Sequence, residues 1–438
     1  MFFVYSIILT LGFIVLLPRF LFDALFNGKY SAGFFQRLGF LPKFDAGDRA
    51  VIWLHCVSVG EVNAARPLVD SIRNDFSNHR LIVSTTTRTG QTLANDVFSE
   101  SAALVFYFPF DWKFSVRRAL RHFGPRAVLL METEIWFNFI REANKSGARI
   151  AIVNGRLSER SYKRFGYIKK FMRRVLSYLD LALMQANGDA KRLMALGIRA
   201  NKVKVTGNLK FDQQSGGDEK LTADLRERFG ITTDAPLIIA ASTHSPEETW
   251  ILEAFKAVWK NSGNSLPRLM IAPRHPERFQ TVADEIKKSG FAWARRSEQE
   301  SSRDKTAEVI LLDSIGELRA AYPLARIVFV GGSLIPHGGQ SILEPAAAGR
   351  AIITGAFTAN FTAAMNEFLD NDALIQLPKL SDDEIVDRLR AEFSTLLDDA
   401  EQRRELGENA LSVMTKNRGA AAKTIEFLRP MLVGETHQ

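Results

Sequence analysis

The sequence predicts an α/β protein of two domains, each a parallel sheet covered by helices. Three observations carry this. At 438 residues the chain exceeds what one ordinary hydrophobic core organises. From residue 50 onward, short β-branched or apolar runs alternate with helical periodicity, the pattern of a βα series. A polar break, Gln-Gln-Ser-Gly-Gly-Asp-Glu, interrupts the series between Lys210 and Thr233. Apolar content of 46% and charged content of 24% are those of a folded globular chain.

The elements follow in order. Met1 to Leu17 carries no charge and is almost wholly apolar, ending at Pro18-Arg19. That length is the lower limit for a membrane-spanning helix. No Lys or Arg precedes the run and no small-residue cleavage site follows it, which argues against a cleaved signal peptide. Arg19, Lys29, Arg37 and Lys43 all follow it, so a single N-terminal anchor with a cytoplasmic body is expected. The anchor either spans or lies in plane, and Phe20 to Phe35 has an amphipathic look that suits an interface. Strands are expected at 50–55, 81–85, 104–107, 127–131, 149–153, 181–184 and 203–205. After the break they resume at 236–241, 269–272, 291–294, 309–312, 327–330 and 351–354, and helical segments run from about Ser381 to Val433. The expected division is a membrane anchor at 1–22 and an interfacial connector at 23–49. A first Rossmann-like domain follows at 50–209, a linker at 210–233, and a second such domain with C-terminal helices at 234–438. In open α/β sheets ligands bind beyond the carboxyl ends of the strands, so the site is expected in a cleft between two such edges.

Charge is unevenly shared. Residues 1–210 hold 31 Lys/Arg against 15 Asp/Glu, a net of +16; the remainder holds 26 against 34, a net of −8. A basic first half points to an anionic partner for that half. No helix-turn-helix, zinc finger or RNP-type signature accompanies it, so anionic lipid is favoured over nucleic acid. The single cysteine, Cys56, excludes an internal disulfide and a cysteine-based zinc site, and suits a reducing compartment.

The most telling stretch runs Gly331-Gly332-Ser333-Leu334-Ile335-Pro336-His337-Gly338-Gly339-Gln340-Ser341-Ile342-Leu343-Glu344-Pro345. Two glycine pairs after a strand allow a sharp turn and close approach of backbone to ligand. A helix start beyond them suits a phosphate, and Glu344 is placed to accept from a sugar's vicinal hydroxyls. It is neither a Walker loop nor a G-x-G-x-x-G fingerprint. A nucleotide-sugar site is the expectation, against the plainer alternative of a glycine-rich turn. Other candidates share the strand-end position. Glu61 follows the first strand, and Glu132 and Glu134 follow the fourth; three converging carboxylates would raise one another's pKa and supply a general base. Ser242 and Thr243 end one strand of the second series and Arg274 ends the next, where a phosphate or carboxylate could pair. Asn360 opens a helix after another. The run 156–174 sets eight basic residues, among them Arg156, Arg160, Lys163, Arg164, Lys169 and Lys170, against one acid, as an anionic surface would require. No H-E-x-x-H pattern appears, nor an Asp-x-Asp motif of the sort that holds a metal–diphosphate, so no metal is expected.

These motifs resemble bacterial 3-deoxy-D-manno-octulosonic acid (Kdo) transferases, which have two Rossmann-like domains in the GT-B arrangement. The resemblance rests on His55-Cys-Val-Ser-Val-Gly-Glu61, Thr85-Thr-Thr-Arg-Thr-Gly90, Met131-Glu-Thr-Glu-Ile-Trp136, Arg156-Leu-Ser-Glu-Arg-Ser161, Ala240-Ala-Ser-Thr-His244, Pro273-Arg-His-Pro-Glu-Arg-Phe279, and Val330-Gly-Gly-Ser-Leu334 through Glu344-Pro345. It implies inverting, metal-independent transfer of Kdo from CMP-Kdo to a phosphorylated lipid A precursor in lipopolysaccharide biosynthesis. The implied setting is the cytoplasmic face of the inner membrane in a Gram-negative-type bacterium. It implies Glu61 as general base, with Glu132 or Glu134 assisting. Arg274, the Gly331–Gly332 loop with Ser333, Gly338 and Gly339, and Glu344 would hold the donor, with Ser242, Thr243 and Asn360 beside them. The resemblance expects His-Asn after the second glycine pair, where this chain has Gln340-Ser341, and Trp-Pro-Asn where it has Trp136-Phe137-Asn138. Another GT-B nucleotide-sugar enzyme and a non-catalytic anionic-lipid-binding protein are the competing expectations.

Overall fold

The computed structural model describes residues 1–27, 33–212, 218–232, 234–261 and 266–433. The chain divides into two compact units, Met1–Gln213 with Asn417–Gln438, and Gln214–Lys416. Each is built on a seven-stranded sheet in which every pairing is parallel.

The first sheet comprises β1 (Ala50–Cys56), β2 (His79–Thr85), β3 (Leu104–Tyr107), β4 (Pro125–Met131), β5 (Arg149–Gly155), β6 (Leu181–Met184) and β7 (Val203–Val205), in the order β3-β2-β1-β4-β5-β6-β7. The second comprises β8 (Leu237–Thr243), β9 (Arg268–Pro273), β10 (Trp293–Arg295), β11 (Val309–Leu311), β12 (Ile327–Val330), β13 (Ala351–Thr354) and β14 (Ile375–Gln376), in the order β10-β11-β9-β8-β12-β13-β14. The strands expected from the sequence all form; β14, two residues long, has no periodicity to announce it. The central strands read as unbroken apolar runs because helices bury both faces. Trp53 of β1 is wholly buried, with Phe106, Phe123 and Phe139 at ring-centroid distances of 5.0–5.6 Å.

Each sheet, the second with β11 inserted between β10 and β9, has a switch point near its centre: between β1 and β4 in the first, and between β8 and β12 in the second. There the crossovers leave to opposite sides and open a crevice beyond the strands' carboxyl ends, where doubly wound sheets bind ligands. Glu61 and Glu132 flank the first switch point. Thr243 and Gly331 flank the second.

Three boundaries are corrected. The final helix, Ala420–Val433, belongs to the first unit rather than the second. Its Ala420, Ala421, Ile425, Leu428 and Leu432 enter the same core as Ile52, Leu54 and Leu68. Asp212 fastens its start by accepting from the Gly419 and Ala421 amides, and Arg429 pairs with Asp75 at 2.6 Å. An amphipathic pattern shows that a helix must be covered but not by what.

The expected linker 210–233 is largely structured. Glu219–Arg228 is a helix capped by Asp218, and buried Arg228 pairs with Asp304 at 2.9 Å. Residues 213–217 and 233 lie outside the described residues.

The N-terminal segment also departs from expectation. Phe2–Asn27 forms one helix that continues through Pro18. Among the described residues no helix is long and apolar enough to cross a membrane, so a spanning anchor is not supported. Nor does the helix stand apart from the body. Among residues 1–18, positions 2, 5, 6, 9, 13 and 17 are covered or half-covered, a helical stripe. Phe2 is 5% exposed and stacks edge-on against Phe171 at 4.9 Å. Tyr5 donates to Asp111 at 2.8 Å, and Trp112 donates to Thr10 at 3.1 Å. Phe3, Val4, Ile8, Leu11 and Val15 face outward and are exposed. The amphipathic stretch expected at 20–35 falls mostly outside the described side chains; Phe34–Arg37 forms a short helix.

Candidate active site

At the first sheet's edge, β1 ends at Cys56 and the helix Val59–Asp75 begins, placing Glu61 in its first turn. Glu61 is 7% exposed, and one carboxylate oxygen accepts from the Val57 amide at 2.8 Å. Burial pushes its carboxyl up to about 8; the Val57 N–H opposes this, the charges of Glu132 and Glu134 add to it, and Lys210 opposes it. Once it has lost its own proton, a carboxylate so raised is a stronger proton acceptor than an ordinary one, as a general base needs.

Glu132 and Glu134 follow β4 directly. Glu132 sits at φ 52°, a left-handed conformation that costs a non-glycine residue energy and is held by the Glu132 amide donating to Val153. Its carboxylate lies 3.5 Å from the Lys210 ammonium. Burial, then Glu132, raises the Glu134 carboxyl. The expected convergence of three carboxylates is therefore present, and Lys210, counted as linker from the sequence, joins them. Its only sequence signal was a lone cation after β7. Cys56 is buried, with its thiol pushed well up by burial, Glu61 and Glu132.

The basic run emerges at the same edge. Arg156 lies just past β5, and its carbonyl accepts from Thr133. Ser158 caps the helix Glu159–Gly166, and a second helix, Lys169–Leu176, follows. Arg160, Lys163, Arg164, Lys169 and Lys170 are all exposed, while Phe171, Met172, Val175 and Leu176 are buried beneath. Lys163 makes an exposed pair with Glu159 at 3.2 Å, worth little to stability.

The second edge differs from expectation. The amides after the first glycine pair are already occupied. Glu247, 0% exposed, accepts from Gly332 at 2.7 Å, Ser333 at 3.0 Å, Leu334 at 3.0 Å and His244 at 2.9 Å. An internal carboxylate thus fills the nest expected to cradle a phosphate. Gly331 permits this: a Cβ there would meet the Thr243 Cα at 2.7 Å and the Glu247 carboxylate at 2.8 Å. In the sequence Glu247 and Glu248 are only two acids at a helix start.

Two hydroxyls also turn inward. Thr243 is buried and donates to Glu248 at 2.8 Å, and Glu248 takes both arms of Arg278. Buried Ser333 donates to the Val330 carbonyl at 2.5 Å and accepts from the Gly355 amide at 2.9 Å. The Thr243 hydroxyl, expected to help hold a phosphate, and the Ser333 hydroxyl are thus engaged within the domain. Ser242, half-buried, sits at φ 53°. Arg274 is exposed at the end of β9, its amide donating to the Thr243 carbonyl. Gly338 and Gly339 have φ of 102° and 78°, and Asn360 closes over them, its amide donating to Gly338. Glu344 lies on a helix of five residues, Leu343–Ala347, and is half-buried. Three imidazoles that the sequence did not single out, His244, His275 and His337, gather here: His244 lies 4.1 Å from His337 and 5.2 Å from His275 between ring centroids.

Comparison with known proteins identifies the family. The family model described as 3-deoxy-D-manno-octulosonic-acid transferase matches residues 32–213. A 3-deoxy-D-manno-octulosonic acid transferase from Haemophilus influenzae is 36% identical over 404 residues, 92% of either chain. This chain belongs to the Kdo transferase family. Another Kdo transferase, from Bordetella pertussis, is 31% identical over 87% of this chain and 88% of its own. The protein is accordingly a glycosyltransferase. A solved glycosyltransferase from Rickettsia africae covers 89% of this chain and 100% of its own with a TM-score of 0.57 at 13% identity; at that identity it shows the fold alone, two parallel-sheet α/β domains of the GT-B kind.

Proposed function

We propose that this Kdo transferase moves Kdo from CMP-Kdo to a phosphorylated lipid A precursor in lipopolysaccharide biosynthesis, with inversion and without a metal. The observation that carries this is Glu61: a buried carboxylate at the switch point of the first sheet, raised to about 8 and flanked by Glu132, Glu134 and Lys210.

Glu61 takes the proton from an acceptor hydroxyl as its oxygen attacks the anomeric carbon. The bond from that carbon to the phosphate oxygen breaks, and CMP leaves with the electron pair. A single displacement on the face opposite the leaving group inverts the centre. Lys210 favours the charged form of Glu61 and Glu132 opposes it, so the base becomes available as the pH rises toward about 8. Arg274 meets the phosphate charge that grows on the leaving group.

The acceptor side rests on the first unit. The outward residues of the N-terminal helix, Phe3, Val4, Ile8, Leu11 and Val15, form an apolar face on a helix that lies along the domain. Such a face suits the acyl region of a membrane surface, with Lys163, Arg164, Lys169 and Lys170 toward anionic headgroups. We place the enzyme on the cytoplasmic side of the inner membrane of a Gram-negative-type bacterium, in plane rather than spanning.

Purified protein incubated with CMP-Kdo and a tetraacylated lipid A precursor tests the reading, with products read by mass spectrometry. A mass gain of one or more Kdo units supports it. Absence of transfer from CMP-Kdo, with transfer from a UDP-sugar, overturns it.

A further inference from the structure

We propose that His244, His275 and His337 form an imidazole subsite that receives the anionic part of the donor and takes up a proton as it does so. The inference rests on the donor reading above, since a sugar acid joined through phosphate carries a carboxylate and a phosphodiester.

Occupied backbone comes first. The loop amides that would ordinarily bind an anion are spent on Glu247, so the second edge must meet a donor with other groups. The groups gathered there are Arg274 and three imidazoles, one from the end of each of β8 and β9 and one from the loop after β12.

His244 is the orphan among them. It is 7% exposed, yet neither ring nitrogen has a partner in good hydrogen-bonding geometry, although the Ser242 backbone lies close enough to favour its charged form. Buried polar atoms are nearly always satisfied, and an exception at a strand-end edge marks a place for a ligand. The backbone beneath is shaped to it: a Cβ on Gly332 would lie 3.3 Å from His244 Nδ1 and 3.4 Å from Gln340. His337 is exposed, and the His275 side chain is 44% exposed, so the cluster opens to solvent from its buried member outward. The chain carries Gln340-Ser341 where the family resemblance expects His-Asn. His337, three residues earlier, brings an imidazole to this loop.

The charges around the cluster decide its state. Glu247 is committed to four amides and Glu248 to Arg278. Glu277 lies 3.7 Å from His275. Burial first, then His337 and His275, bring His244 down to about 4, against the Ser242 backbone and Glu248. Without ligand the buried imidazole is therefore neutral. An anion beside it reverses the balance by favouring the charged form, so binding draws a proton.

The test is calorimetric titration of the full chain with CMP, CMP-Kdo and UDP-N-acetylglucosamine, at pH about 6 and about 8.5, in two buffers of different ionisation enthalpy. Wild type is expected to bind CMP-Kdo with net proton uptake and on the order of tenfold more tightly at the lower pH. His337→Ala and His275→Ala, both outside the core, are expected to lose part of that uptake and to bind several-fold more weakly, with unchanged melting. His337→Arg is expected to regain affinity without regaining uptake, because its charge is fixed. Wild-type affinity and proton count in both alanine variants overturn the subsite. Failure of wild type to bind CMP-Kdo, with proton-linked binding of the UDP-sugar through the same histidines, overturns the donor reading and leaves the subsite standing. Failure to bind any of the three overturns both.

Discussion

The two sheet edges each carry a switch point but use the carboxylate beside it differently. At the first, carboxylates stand at the switch point with few partners: Glu61 meets one amide, and Glu132 meets Lys210 at 3.5 Å. At the second, the equivalent position is taken by a carboxylate that is spent entirely on backbone amides. The same residue type is therefore poised for proton transfer in one place and is a structural pin in the other. What separates them is the number of N–H groups within reach. One N–H leaves burial and neighbouring charge to lift the Glu61 carboxyl to about 8. Burial raises Glu247 too, but four amides hold against it.

Substituting the two glutamates breaks the comparison most sharply. Glu61→Gln keeps an acceptor for the Val57 amide and removes the base. Turnover is expected to fall by about 10²–10⁴-fold, with a normal melting curve and retained CMP-Kdo binding. Near wild-type turnover would transfer the base to Glu132 or Glu134. Glu247→Ala should do the reverse and act on stability first. It leaves buried amides without partners at about 1–3 kcal/mol for each that water does not reach. A loss of several kcal/mol in denaturant unfolding is expected, and an unchanged midpoint would show that the nest is not what holds the loop.

The N-terminal helix sharpens the contrast between what is attached to a domain and what belongs to it. Removing residues 1–16 uncovers the pocket of Phe2 and takes the Tyr5 hydroxyl from Asp111, a carboxyl that burial raises to about 7. Loss of the Phe2 burial alone is worth about 2–3 kcal/mol. The truncated protein is expected to melt several degrees lower as well as to leave membranes. An unchanged melt would show that the helix is a detachable tether. Smaller still is the effect of neutralising Lys163, Arg164, Lys169 and Lys170 together. Binding to anionic vesicles should weaken by up to ~1 kcal/mol per charge and the acceptor KM should rise, with the CMP-Kdo KM unmoved. A lower melt with unchanged acceptor kinetics would assign these cations to the fold.

The parallel sheets were legible because strands buried on both faces leave continuous apolar runs; the strand order, and with it the two switch points, was not. Glu61, Glu132 and Glu134 were legible because each directly follows such a run. Partnership was not legible. The sequence of β12 and its loop gives no sign that Glu247, 84 residues before Gly331, fills its amides, and Thr243 and Ser333 read as ligand groups for the same reason. The last helix joined the wrong domain because its apolar stripe carries no address. Lys210 was missed because a single cation after a short strand has no pattern at all.

The central claim is that burial and neighbouring charge make Glu61 the base. The most direct measurement is the pH dependence of kcat/KM for wild type, Lys210→Met and Glu61→Gln. A base must be deprotonated to act, so wild-type kcat/KM is expected to rise with pH through a midpoint near 8. Lys210 favours the charged form, so its removal should move that midpoint upward. The residual rate of Glu61→Gln should lack the rise. Stability runs the other way: a carboxyl raised in the folded state loses its contribution as pH climbs from about 4.5 toward 8, so Glu61→Gln should gain on wild type across that window. A wild-type profile that is flat between pH about 6 and 9, or a midpoint that Lys210→Met leaves in place, would contradict the account.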